Sequence, residues 1–179
     1  MLRWLNFEFS SVCNMQCKWC SLDHSKEAVF LEPALLEKGL KEMAGWGTAA
    51  RGIQQVDLHN GGETLLHPQL DTMLALVARY RPRIAAQKFF LLTNGFALNG
   101  VRAERLANCT GLDRVRVSMD GGSKSLYEEI RGPHFETVKR NFADFVELVK
   151  RAESAMETEV ICIVPPDKPL SQEWMGEEF

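Results

Sequence analysis

Cys13, Cys17 and Cys20 fall within eight residues, in the run C-N-M-Q-C-K-W-C. Three soft thiolates on one short loop can converge on a soft metal centre. An iron–sulfur cluster of the 4Fe–4S type ordinarily takes four cysteine ligands, so three leave one iron open to a small molecule. His24 follows Cys20 after three residues. A tetrahedral zinc site of the three cysteines and His24 is the chemical alternative. The bland alternative is that the cysteines pack as small apolar side chains, and the polar neighbours Asn14, Gln16 and Lys18 argue against it. Spacing alone leaves cluster and zinc both open. Cys109, at a helix end, and Cys162, in an apolar strand, read as core residues.

Such thiols need a frame to hold them, and the hydrophobic pattern supplies one. Residues 3–10 (RWLNFEFS) predict a strand that ends just before the first cysteine. Pro33 opens a helix with Leu36, Leu40, Met43 and Ala44 at helical spacing. Gly52 precedes a second strand, IQQVDLH, ending at Asn60. Pro68 opens a helix with Leu70, Met73, Leu74, Val77 and Tyr80 on one face. The run KFFLLT from Lys88 to Thr93 predicts a strand buried on both sides, and Asn94-Gly95 turns the chain.

A helix over 101–108 and a strand over 112–119 follow. Gly121-Gly122 then breaks the chain before a short helix at 124–130. A longer helix carries Phe135, Val138, Phe142, Phe145 and Val149 on one stripe. The fifth strand spans 157–164 and stops at Pro165-Pro166, and the tail SQEWMGEEF reads as the start of another helix. Strands and helices alternate throughout, which predicts an α/β fold with parallel strands and right-handed crossovers.

Composition excludes several partners. The 179 residues suffice for a single domain, and 45% hydrophobic with 25% charged residues is an ordinary globular balance. A net charge of −3 gives no basic excess to draw nucleic acid or an anionic membrane. No apolar run approaches the roughly 20 residues of a membrane span. The N-terminus MLRWLNFEFS interrupts its apolar run at Asn6 and Glu8, so it is no signal peptide, and the expected compartment is the cytoplasm. Five cysteines, an odd number, do not make a secreted disulfide framework.

Four segments together resemble the radical S-adenosylmethionine (radical SAM) superfamily. The CxxxCxxC motif stands as Cys13 to Cys20 with Trp19 before the last cysteine, and Asn60-Gly61-Gly62-Glu63-Thr64 is similar to the family's GGE segment. Thr93-Asn94-Gly95 ends the third strand, and Ser118-Met119-Asp120-Gly121 ends the fourth. The stretch Tyr127 to Gly132 (YEEIRG) resembles the branch that often carries a SPASM or twitch auxiliary-cluster domain. All four motifs fall at the C-terminal ends of predicted strands, where parallel barrels gather functional groups.

The resemblance implies a partial (β/α) TIM-like barrel of six units, about five of which this chain supplies. It implies a 4Fe–4S cluster and S-adenosylmethionine (SAM) as cofactors, with a small flavodoxin- or ferredoxin-type protein as electron donor. Reductive cleavage of SAM then yields a 5′-deoxyadenosyl radical that takes hydrogen from a peptide or small-molecule substrate. Cys13, Cys17 and Cys20 are the implied cluster ligands, and Trp19 an implied wall of the adenine pocket. Gly61 and Gly62 would let backbone approach the ligand, and Glu63 would meet the SAM ammonium. Ser118 and Asp120 would contact the ribose and SAM tail, and Arg131 the SAM carboxylate. Asn94 is either a cofactor contact or a turn residue. His59 reads as a strand-end core residue, and Val160–Val164 as an apolar wall.

The chain departs from that family in one respect. Neither a sixth strand nor an auxiliary-cluster domain follows residue 162, so 1–179 reads as one C-terminally incomplete core domain. The open edge of its fifth strand is then an association hazard. A zinc-binding module and a catalytically inactive iron–sulfur remnant are the competing functions.

Overall fold

Apolar residues at every second position give this chain strands with one face turned to helices. In the computed structural model, which describes residues 2–164, those strands are β1 (Trp4–Asn6), β2 (Gln55–Asp57), β3 (Lys88–Thr93), β4 (Arg114–Ser118) and β5 (Glu157–Ile161). They form one sheet in the order β1-β2-β3-β4-β5, and every neighbouring pair is parallel. Helices α1 (Pro33–Gly45), α2 (Leu70–Tyr80), α3 (Gly100–Ala107), α4 (Lys124–Arg131) and α5 (Phe135–Arg151) occupy the connections. The architecture is α/β, an open partial barrel. Its core lies between sheet and helices, where Val56, Phe89, Leu91, Val115 and Val117 meet Leu36, Leu40, Met73, Val77 and Phe145, all fully buried.

The other face of the sheet is polar. Gln55, Asp57, Lys88, Arg114 and Arg116 alternate with the buried residues and remain partly exposed. Lys88 pairs with Glu157 at 2.6 Å, Arg114 reaches Glu157 and Glu159, and Arg116 pairs with Glu159. Phe90 lies on this face and is shielded, with the Arg116 guanidinium 4.6 Å from its ring centre and the His59 ring edge-on at 4.7 Å. The expectation of a third strand buried on both sides holds at Phe89, Phe90 and Leu91, whereas Lys88 and Leu92 on the Phe90 side stay partly exposed.

Several boundaries also shift. The first strand is three residues rather than eight, because after Phe7 donates to the Asp57 carbonyl the chain bends toward the cysteines. Ser10 instead forms an isolated antiparallel bridge with Phe30. The second strand stops at Asp57 and the fifth at Ile161. On α5 the buried position is Asn141, with Phe142 only half-buried. Cys162 follows β5 and is partly exposed, whereas Cys109 is buried in the core as expected. The expected C-terminal helix lies outside the described residues.

Ends of the helices are set by local chemistry. Ser123 caps α4 by accepting from the Leu126 amide, and Gly132 closes it at φ 93°, a left-handed conformation open to glycine. Among the described residues no helix is long and apolar enough to cross a membrane.

Candidate active site

Parallel strands deliver their C-terminal ends to one rim, and every motif of this chain sits on that rim. A cavity of about 300 Å³ there is lined by Cys13, Cys17, Trp19, Cys20, Gly61, Gly62, Glu63, Asn94, Ser118, Asp120 and Arg131. These are all eleven residues singled out from the sequence. His59, Leu92 and Ile163 complete its walls.

The cysteine loop is fastened by its backbone and by one buried side chain. Val12 accepts from the Glu63 amide at 2.7 Å, and the Lys18 amide donates to the Ile130 carbonyl of α4 at 2.8 Å. Met15, 3% exposed, plugs the loop into the core. Neighbouring thiols are thereby held around one opening. Burial pushes the Cys13 and Cys17 thiols up, and the Arg131 guanidinium pulls Cys17 partly back.

The two glycines act differently. A Cβ on Gly62 would stand 2.0 Å from the Ser10 carbonyl oxygen and 2.8 Å from that of Val12. The close approach that requires this glycine is therefore to the chain's own cysteine loop. Gly61 has ordinary room, 3.5 Å from a Glu8 oxygen. That same Glu8 oxygen accepts from the Gly61 amide at 2.9 Å and the Gly62 amide at 3.4 Å. Glu8 therefore holds the segment in place, a role with no signal in the sequence beyond an acid on a short strand end.

Glu63 is buried and already bonded. Its Oε1 accepts from the Leu65 amide at 3.0 Å and the Thr93 hydroxyl at 2.8 Å, and its Oε2 from the Asn94 amide at 2.7 Å. It clamps the end of β2 to the end of β3. Burial raises its pKa, and these three donors oppose the rise.

Asn94 forms the turn and also faces the cysteine loop. Its Oδ1 accepts from the Phe96 amide at 2.9 Å, forming the turn. Its Nδ2 reaches Asn14 Oδ1 at 2.8 Å and Cys13 Sγ at 3.4 Å. Gly95 follows at φ 76°. Asn141 of α5 donates to the carbonyls of Gly95 and Phe96, both at 3.0 Å, a support the sequence hid among the apolar positions of its helix.

Arg131, 9% exposed, turns inward from α4 onto Asp120 at 2.8 Å through Nε. Its Nη1 lies 3.8 Å from Cys17 Sγ. The second Asp120 oxygen accepts from the Ile163 amide at 2.8 Å. Ser118, beside them, is buried at the end of β4. Trp19 is half-exposed at the cavity mouth. His59 lines the cavity, with Nδ1 accepting from the Leu92 amide at 3.2 Å, and burial lowers its pKa. His67 is structural, its ring bridging the Leu31 carbonyl and the Gln69 amide.

Three cysteine sulfurs at one cavity suit a soft metal centre. Tetrahedral zinc draws its thiolates to within about 3.8 Å of one another, from bonds of about 2.3 Å. Among the described residues no three His, Cys, Asp or Glu side chains converge in that way, and His24 stays exposed. A cluster binds each thiolate to a different iron, so it tolerates wider spacing.

Comparison with known proteins agrees with this geometry. The model of the family described as Radical SAM superfamily matches residues 7–168. A GTP 3′,8-cyclase of a Synechococcus species is 32% identical over 128 residues, covering 72% of this chain and 35% of that protein. The chain thus spans about a third of the length of that curated relative. Among solved structures, native anSMEcpe with bound AdoMet superposes with a TM-score of 0.66 at 23% identity, over 92% of this chain and 45% of that one. Streptococcus suis SuiB bound to precursor peptide SuiA gives 0.73 at 17% identity, over 98% and 35%. With a family model matched across most of its length and the four motifs on one rim, this chain belongs to the radical SAM superfamily.

Proposed function

We propose that Cys13, Cys17 and Cys20 hold a 4Fe–4S cluster whose open iron takes SAM, and that the chain is the catalytic core of a hydrogen-abstracting enzyme acting on a peptide. Together the reduced cluster and SAM supply a 5′-deoxyadenosyl radical. The observation that carries the reading is the shared cavity, in which three thiols stand beside the Gly61–Glu63 segment, Asn94, Ser118 and Arg131. Glu63 offers its remaining lone-pair capacity to the SAM ammonium, Ser118 and Asp120 face the ribose and tail, and Trp19 shields the adenine side. Arg131 reaches the SAM carboxylate while keeping Asp120. An electron donor of the flavodoxin or ferredoxin type reduces the cluster.

The substrate class rests on the polar sheet face. The GTP cyclase relatives raise the alternative of a nucleoside triphosphate. Lys88, Arg114 and Arg116 on that face are each paired with Glu157 or Glu159, and Arg131, the cation lining the cavity, is paired with Asp120. A triphosphate would find them neutralised, whereas a peptide asks only for hydrogen bonds. The SuiB–SuiA complex is a neighbour with a peptide bound.

The test is anaerobic reconstitution with iron and sulfide, followed by dithionite and SAM. A brown protein that forms 5′-deoxyadenosine is expected. A colourless protein with one zinc per chain would establish the zinc module, and a brown one inert toward SAM the inactive remnant. Faster deoxyadenosine formation with GTP, and none with peptides, would overturn the peptide reading.

A further inference from the structure

The three candidate ligands share a feature beyond their spacing, in that each sulfur accepts a hydrogen bond. Cys13 Sγ accepts from Asn94 Nδ2 at 3.4 Å, Cys17 Sγ from Arg131 Nη1 at 3.8 Å, and Cys20 Sγ from the Leu22 amide at 3.4 Å. Two of these donors are side chains brought from distant elements. Each of those two is anchored on a buried carboxylate, because Glu63 holds the Asn94 amide and Asp120 holds the Arg131 guanidinium.

The donor geometry is locked. The Phe96 amide can only donate, so the atom 2.9 Å from it must be the Asn94 oxygen, and the amide group of Asn94 then faces Cys13. Asn141 stiffens that turn from α5. Arg131 is nine-tenths buried and salt-bridged, so its Nη1 cannot swing into solvent. Both arms are rigid, and both end at a cysteine sulfur.

We infer that Asn94 and Arg131 are positioning residues that tune the reduction potential of the cluster, in addition to any contact with SAM. Hydrogen bonds to ligand sulfurs stabilise the more negative, reduced cluster, and so raise its potential. A one-electron donor then reduces it more readily. This rests on the cluster reading above.

The experiment is an EPR-monitored redox titration of the reconstituted full chain, comparing wild type with Asn94→Ser and Arg131→Lys. Serine keeps an acceptor for the Phe96 amide, and its shorter side chain draws the remaining O–H back from Cys13. Lysine keeps the positive charge and removes the guanidinium arm, so a change reports the hydrogen bond rather than net charge. With iron content at the wild-type level, both midpoints are expected to fall. A tenfold loss of reduced cluster at fixed potential corresponds to about 59 mV for a one-electron couple. Unchanged midpoints at full iron content overturn the inference. Where a variant fails to load, the wild type decides by resonance Raman spectroscopy in H₂O and D₂O. Because the Leu22 amide bonds Cys20 independently, D₂O shifts in more than one iron–thiolate stretch support the inference, and a shift in one or none overturns it. A wild type with no iron–sulfur absorption would instead fail the cluster reading itself.

Discussion

Two adjacent glycines show how differently one motif can be used. Gly62→Ala drives a Cβ into the carbonyls of Ser10 and Val12, which are backbone and cannot turn aside. Iron uptake by that variant is expected to collapse with the circular dichroism signal largely kept, whereas Gly61→Ala should load iron like the wild type. Metal analysis of the two proteins side by side checks this. Glu63→Gln puts an amide N–H₂ against one of three donors, so a buried group loses its partner. About 1–3 kcal/mol of stability should go with it, read from urea melts, together with weaker SAM binding by calorimetry. The cavity residues were legible because their types are chemically unusual for a strand end: thiols, paired glycines, a lone acid, an Asn-Gly pair. Glu8, Met15 and Asn141 were not legible. Each is an ordinary residue whose value comes from a partner at least 45 positions away or from a core that only the fold assembles.

At the level of elements, the rim is built by helices reaching back over strand ends. The length of α5 and its position beside α3 carry Asn141 under the turn after β3, where it bridges two carbonyls. Asn141→Leu keeps the branched side-chain shape and favours the helix, but leaves both carbonyls without that donor. A loss of about 1–3 kcal/mol is expected, with helix content unchanged by circular dichroism. Helix α4 contributes Arg131 and, through the Ile130 carbonyl, a hold on the cysteine loop at Lys18. Hydrophobic spacing predicted the helices from Pro33, Pro68 and Phe135, since an apolar face at period 3.6 is written in the sequence, and the two short helices were placed between turns. Strand lengths were overestimated for a physical reason. Phe7 and Leu58 still donate to Asp57 and Phe90 of the neighbouring strands, but beyond them the backbone bonds go to loops and to the isolated Ser10–Phe30 bridge. A pattern of side chains cannot report where backbone pairing stops.

At the scale of the whole molecule, the sheet divides the protein into an apolar half and a charge-compensated half. Glu159→Gln frees Arg116 and partly frees Arg114. Stability should change by only about 1 kcal/mol or less, as for other partly exposed pairs. The variant should, however, bind inorganic triphosphate measurably in a titration where the wild type does not. The alternation of strand and helix made the parallel sheet legible. The polar face was not, because Lys88, Arg114 and Arg116 look like solvated charges until their partners arrive from β5. The strand order has a further consequence, for the order in which the protein is made. Position in the sheet equals position in the chain, so each strand leaving the ribosome adds to the edge just formed, with no long-range insertion. The cysteine loop belongs to the first strand–helix unit, while Asn94 and Arg131 are synthesised roughly 80 and 110 residues after the thiols they touch. Until then the Cys13 and Cys17 sulfurs stand uncovered on a nascent chain, open to oxygen in a way the folded rim no longer allows, whereas Cys20 stays exposed throughout.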